Sequence, residues 1–296
     1  MGAKFKGTGV ALVTPFNQKK ELDLDSLGKL LLHTGELDYW VVNGTTGESP
    51  TLNEVERSKV LQYIADSNPN NLPVMFGIGG NNTQAVLNQI KITDFSHINA
   101  ILSVCPYYNK PSQQGLIKHY WLIADHSPVP VYIYNVPGRT SCNIEASTIL
   151  KLAGHHNIHG VKEASPDRQQ WLEIGQEKPE DFDLISGDDV STIDIIKCGG
   201  CGVISVLANA FPGLISNMVN QALSQQWYEA ESTLDLLRPI NPLMYKESNP
   251  VGIKKVLNLM GISEPYVRLP LVEATEQLTA AISATIPPKT ELSKKP

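Results

Sequence analysis

Along the 296-residue chain, short runs of β-branched and apolar residues bounded by Gly, Pro or Asn alternate with longer stretches whose apolar positions repeat at helical spacing. The first pattern marks buried strands and the second amphipathic helices packed on them. Strands are predicted at Gly9–Val13, Tyr39–Asn43, Pro73–Ile78, Ala100–Cys105, Val131–Asn135, His159–Glu163, Asp183–Ser186 and Gly202–Val206. Helices fit the gaps at Leu24–Thr34, Asn53–Ser67, Thr83–Asp94, Ser112–Asp125, Glu145–Leu152, Gln169–Gln176, Val190–Lys197 and Pro212–Leu223. Asn53 and Ser112 stand where an N-cap is needed, ahead of helix-favouring first turns.

Strict β-then-α alternation argues for a parallel sheet, and eight units argue for closure into a (β/α)₈ TIM barrel of the α/β class. The competing architecture is an open dinucleotide-binding sheet. Gly77-Ile-Gly-Gly-Asn-Asn82 lacks the last glycine of that fingerprint and reads as a tight βα turn. From Gln225 onward the pattern is mostly helical but broken by Pro239, Pro242, Pro250, Pro265 and Pro270, which predicts a C-terminal helical appendage. The expected organisation is a catalytic barrel over residues 1–224 and a helical region over 225–296, with a frayed polar tail at Pro287–Pro296.

Composition narrows the function. A formal charge of −6, with basic residues scattered among acids, leaves no electrostatic footprint for nucleic acid or an anionic membrane, so a small-molecule partner is expected. No signal-peptide core and no membrane-length apolar run is present, and Cys105, Cys142, Cys198 and Cys201 read as reduced thiols, which together predict a cytoplasmic protein. The Cys198-Gly-Gly-Cys201 pair has no second pair to complete a zinc site and is read as packing.

Chemistry in such barrels is built at the C-terminal ends of the strands. Polar residues concentrate there: Asn43-Gly-Thr-Thr-Gly-Glu-Ser49 after strand two, Cys105-Pro-Tyr-Tyr-Asn-Lys-Pro111 after strand four, Tyr134-Asn-Val-Pro-Gly-Arg-Thr140 after strand five, Lys162 on strand six and Ser186-Gly-Asp-Asp189 after strand seven. Each has a plain structural explanation by itself: a turn, aromatic packing, a helix cap, or a lysine paired with Glu163. Together they converge on one rim. Alternation along the strands lets Tyr134 and Lys162 both project inward, placing a phenol near an amine that burial deprives of its proton. Such an amine is a Schiff-base nucleophile. The loops after strands seven and eight, acidic and apolar respectively, do not suit a phosphate, so an unphosphorylated keto acid is the expected substrate. No His/Asp/Glu cluster at the strand ends would serve a metal-dependent aldolase, and neither metal nor cofactor is expected.

These motifs, with Gly7-Thr-Gly-Val-Ala-Leu-Val-Thr-Pro-Phe16, Gly160-Val-Lys-Glu-Ala164 and Gly202-Val-Ile-Ser-Val206, closely resemble the dihydrodipicolinate synthase family of pyruvate-dependent class I aldolases and lyases along the whole chain. The resemblance implies that Lys162 forms an imine with pyruvate while Thr45 and Thr46 hold its carboxylate. It implies that Tyr134 moves protons, with Thr46 and Tyr108 completing a hydroxyl relay, and that Gly187 and the carbonyl of Ile204 line the imine pocket. Arg139 would bind the carboxylate of L-aspartate 4-semialdehyde, the second substrate, at the entry to diaminopimelate and lysine synthesis. Tyr108 would reach a neighbouring subunit's site, implying at least a homodimer and an expected homotetramer. Related N-acetylneuraminate lyases and keto-deoxy-sugar-acid aldolases share the lysine and the threonine loop but generally lack the Asn-Val-Pro-Gly-Arg segment. A non-catalytic keto-acid-binding barrel is the remaining alternative.

Lysine-inhibited members use an interface pocket whose positions fall near Pro50, Glu54, Arg57, Asn81, Ala85 and Tyr107. Ala85 stands where an acid would hold the effector's ammonium. Feedback by lysine is therefore expected to be weak or absent, and an inhibition curve reaching half effect well below millimolar lysine would contradict this.

Overall fold

The computed structural model describes residues 5–68 and 70–288. Eight parallel strands close into a barrel in sequence order: β1 (Gly7–Ala11), β2 (Tyr39–Val42), β3 (Val74–Gly77), β4 (Ala100–Val104), β5 (Val131–Asn135), β6 (Ile158–Glu163), β7 (Asp183–Ser186) and β8 (Gly202–Ser205). The connecting helices are α1 (Leu24–His33), α2 (Glu54–Asp66), α3 (Thr83–Ile92), α4 (Gln113–His126), α5 (Pro137–Thr140), α6 (Ala146–Ala153), α7 (Arg168–Glu177), α8 (Thr192–Lys197) and α9 (Pro212–Leu223). Three more, α10 (Trp227–Asp235), α11 (Val251–Leu259) and α12 (Glu276–Thr285), follow the barrel as the expected helical appendage. This is the TIM barrel that the alternation predicts.

The helices begin where their caps dictate. Asn53 accepts from the Glu56 amide while Glu56 reaches back to the Asn53 amide, a reciprocal capping box; Ser112 accepts from the Gly115 amide. The departures from expectation also have local causes. β1 starts earlier than predicted because the Gly7 amide donates to the Cys201 carbonyl, and it ends earlier because the Val13 amide leaves the ladder for the side-chain oxygen of Asn209. α8 starts at Thr192 because Asp188 takes the Ser191 amide and hydroxyl, holding the preceding residues in a turn. The one-turn helix α5 opens on Pro137, whose fixed φ suits a first helical position; four residues are too few to show a period.

The chain divides into two compact units: Pro73–Ile204 with the N-terminal residues up to Gly7, and Thr8–Leu72 with the residues from Ser205 on. In the first, Met75, Ile101, Val131, Ile133, Val161, Leu184 and Ile204 are wholly buried. Gly160 makes room for the Tyr132 ring of the adjacent strand, since a Cβ there would sit 2.7 Å from it. In the second unit Trp40, Tyr39, Leu30, Met218 and Leu257 are wholly buried. Residues 289–296, which hold most of the predicted frayed tail, lie outside the described residues. No helix among the described residues is long and apolar enough to cross a membrane, and the four cysteines carry free thiols.

Candidate active site

In the first unit, parallel register pairs Tyr134 with Lys162 and the next residues, Asn135 with Glu163. Successive residues face opposite sides of a sheet, so the two pairs point in opposite directions. Glu163 faces the helix layer: Asn135 Nδ2 donates to its two oxygens at 3.1 and 3.0 Å, Gln170 Nε2 of α7 at 2.9 Å and the Ser165 amide at 2.6 Å. Lys162 and Tyr134 therefore face the barrel interior. This geometry disposes of the plain explanation for Lys162, because Glu163 spends its hydrogen-bonding capacity on the other side of the strand.

Lys162 is buried, 5% exposed, and its Nζ lies 4.4 Å from the centre of the Tyr134 ring. Burial lowers its pKa from 10.5 to about 8; the carboxylates of Asp189 and Asp188 pull it up, and the Arg139 guanidinium pushes it down. At pH 7 an amine at 10.5 is neutral in about 3 molecules per 10,000, and one at about 8 in roughly one of eleven. Burial thus raises the neutral fraction at pH 7 by about two orders of magnitude.

Gly187, after β7, stands against the lysine stem: a Cβ there would lie 2.7 Å from Ala164 Cβ and 3.2 Å from Lys162 Cε, so a larger residue would clash with Ala164 and crowd the lysine. Arg139 sits on α5, exposed and, among the described residues, without an ion-pair partner within 4 Å. Ile204 is wholly buried on β8. Tyr108 is placed differently. In the loop after β4 its backbone takes a left-handed φ of 73° and its side chain is 88% exposed, so within one chain it does not pack on the Lys162–Tyr134 pair. Among the described residues no group of three or more His, Cys, Asp or Glu side chains is arranged to hold a metal ion.

In the second unit, Thr45 and Thr46 follow β2 in a loop that the sequence marks but whose support it does not reveal. Thr46 is 2% exposed, and its hydroxyl accepts a 2.9 Å hydrogen bond from Asn249 Nδ2. Two residues on, Glu48 has a left-handed φ of 54° and a buried carboxylate, which accepts from Lys254 Nζ of α11 at 2.5 Å and from the Arg268 amide at 2.9 Å. Losing one partner of such a buried pair costs about 3–5 kcal/mol, so this pair pins the loop to the C-terminal region. Asn249, Lys254 and Arg268 escape a reading of the sequence because they are distant along the chain and belong to no local pattern. A lysine inside an amphipathic helix is the only hint, and Lys254 reads there as an ordinary polar position.

Lys254 is a useful contrast, since burial also pulls its pKa down to about 8 against the opposing Glu48 carboxylate. Its ammonium donates to Glu48 and to the Tyr266 carbonyl and lies 4.2 Å from the Phe16 ring centre. Lys162 makes no hydrogen bond and no ion pair among the described residues. Geometry rather than acidity distinguishes the two amines: Lys254 is hydrogen-bonded and, among the described residues, Lys162 is not.

The residue pattern of the Dihydrodipicolinate synthetase family matches positions 4–288. The chain belongs to this family. A 4-hydroxy-tetrahydrodipicolinate synthase of Cytophaga hutchinsonii is 48% identical over 277 residues, covering 93% of each chain. Among solved structures, the dihydrodipicolinate synthase of Thermotoga maritima superposes with a TM-score of 0.91 at 36% identity, covering 98% of this chain and 99% of that one. That of Acinetobacter baumannii, complexed with pyruvate, has a TM-score of 0.92 at 31% identity, with coverage of 97% and 98%. From its burial, Lys162 is expected to titrate near pH 8. Competitive acetylation with acetic anhydride, read at Lys162 against a free-amine standard, should rise about tenfold per pH unit below a midpoint near 8 and level off above it; a midpoint above 10 would contradict the account.

Proposed function

We propose that this chain is a lyase of the 4-hydroxy-tetrahydrodipicolinate synthase type, which joins pyruvate to L-aspartate 4-semialdehyde through a Schiff base on Lys162. The observation that carries this reading is a buried amine with no hydrogen-bond or ion-pair partner among the described residues, its pKa lowered to about 8, beside the ring of Tyr134. The neutral amine adds to the C2 carbonyl of pyruvate, and loss of water leaves an iminium. The iminium draws electrons from C3, whose proton leaves to give an enamine, and that carbon adds to the aldehyde of the second substrate. The substrate's own amino group then attacks the imine carbon, closing the ring and releasing Lys162. One water leaves overall. Tyr134, adjacent to Nζ, passes protons in these steps.

Thr45 and Thr46 hold the pyruvate carboxylate, with Thr46 and Tyr108 extending the hydroxyl relay, and Gly187 with the Ile204 carbonyl lines the imine pocket. Tyr108 serves the site of a second copy, for which its exposure within one chain is suited, so the working assembly is at least a homodimer and by this reading a homotetramer. The mild negative charge and the free thiols suit the cytoplasm. The barrel's residues 1–224 carry the chemistry, and the helical region 225–296 supports it. Arg139 offers a planar fork to a carboxylate and has no ion-pair partner among the described residues, which favours an acid-bearing aldehyde over a neutral sugar.

The purified protein should consume pyruvate and aspartate semialdehyde together, in equal amounts. Arg139→Ala should raise the KM for the semialdehyde about 10- to 150-fold, the range for losing a hydrogen bond to a charged group, while imine formation with pyruvate persists. Unchanged kinetics would remove Arg139 from this role, and no joint consumption would overturn the assignment.

A further inference from the structure

The Thr46 hydroxyl has one proton to donate and two lone pairs to accept with. One of its lone pairs is taken by Asn249 Nδ2 at 2.9 Å, and its proton has no acceptor in the protein among the described residues. Asn249 is 6% exposed; its Nδ2 carries the bond to Thr46, and its Oδ1 is buried without a hydrogen-bond partner among the described residues. It is also held firmly. Ser248 before it adopts a left-handed φ of 79°, a conformation that persists only where surroundings enforce it. α11 begins two residues after it, at Val251, and is fixed to the same loop by the Lys254–Glu48 pair.

We propose that Asn249 is a positioning residue for the pyruvate site: its amide N–H holds one lone pair of the Thr46 hydroxyl and so leaves the hydroxyl proton as the group offered to the substrate carboxylate. This rests on the reading of Thr46 as a carboxylate-binding group. A hydroxyl free to rotate could turn its lone pairs toward an incoming carboxylate, which repels them. A hydroxyl already accepting a hydrogen bond from a fixed amide has one lone pair committed, and the incoming carboxylate, itself only an acceptor, selects the orientation that points the free proton at it. One of the hydroxyl's bonds is set before substrate arrives, so less of the binding energy is lost in arranging it.

Asn249→Asp tests the idea because a carboxylate can only accept. In that variant the Thr46 hydroxyl would donate to the introduced carboxylate and turn its lone pairs to the substrate. The readout is borohydride trapping of the Lys162 imine, measured with pyruvate and with hydroxyacetone, a neutral ketone of similar size. Asn249→Asp should raise the half-saturating pyruvate concentration about 10- to 150-fold, as for loss of a hydrogen bond to a charged group, and leave the half-saturating hydroxyacetone concentration nearly unchanged. Asn249→Ala should show a smaller loss in the same direction, and in a Thr46→Val background it should add nothing, as a double-mutant cycle through one contact requires.

Equal losses for both ketones would mean a merely structural role and overturn the proposal. So would full pyruvate affinity in Asn249→Asp, which would mean that the amide oxygen faces Thr46. If Asn249→Asp does not fold by circular dichroism, the Asn249→Ala cycle decides: an added loss in the Thr46→Val background overturns the proposal, and none supports it. A wild-type protein that traps no pyruvate would instead overturn the reading of the site itself.

Discussion

The structure depends on holding one amine out of water without giving it a counter-ion. A buried charge normally finds one, and the lysine in the second unit's core obeys: Lys254 is locked to Glu48, a carbonyl and an aromatic ring. Lys162 differs because strand alternation sends its neighbouring carboxylate, Glu163, to the opposite face, where Asn135, Gln170 and the Ser165 amide satisfy it. The acidic residues that do act on Lys162, Asp188 and Asp189, restrain the effect of burial without cancelling it. The result is a pKa lowered to about 8, close to physiological pH, as the proposed Schiff-base chemistry would require.

The same outward pair does a second job. Asn135 bridges to Glu163 across β5 and β6 one residue beyond Tyr134 and Lys162, so the register that brings phenol and amine together is fixed by a polar clamp on the helix side. In the second unit the threonine loop is secured in an analogous way by groups outside its own sequence, Asn249 at Thr46 and Lys254 at Glu48. In the first unit the supporting groups lie on the opposite face of the strand, and in the second they come from residues 203 and 206 positions away. Such supporting contacts keep a constellation within the tolerance that proximity effects demand.

Most of the architecture was legible because period-2 and period-3.6 patterns differ sharply in runs as long as Val131–Asn135 or Pro212–Leu223, both of which end where expected. Boundaries shifted where a side chain intercepted a backbone group, as Asn209 does at Val13 and Asp188 does before α8. The positions of Lys162 and Tyr134 followed from alternation alone. What could not be read was support at long range: Asn249 lies 203 residues from Thr46 and Lys254 lies 206 from Glu48. No local pattern encodes such a pairing. Glu163 shows the converse, since adjacency in sequence suggests a partner for Lys162 that the pleat rules out.

The central claim is that Lys162, and no other lysine, becomes covalently joined to the keto acid. Reduction with borohydride in the presence of pyruvate, followed by peptide mass spectrometry, tests it directly. The account predicts a reduced three-carbon adduct on Lys162 and none on Lys254, despite the similar acidity of the two amines. An unmodified Lys162, or an adduct on Lys254 instead, would contradict it.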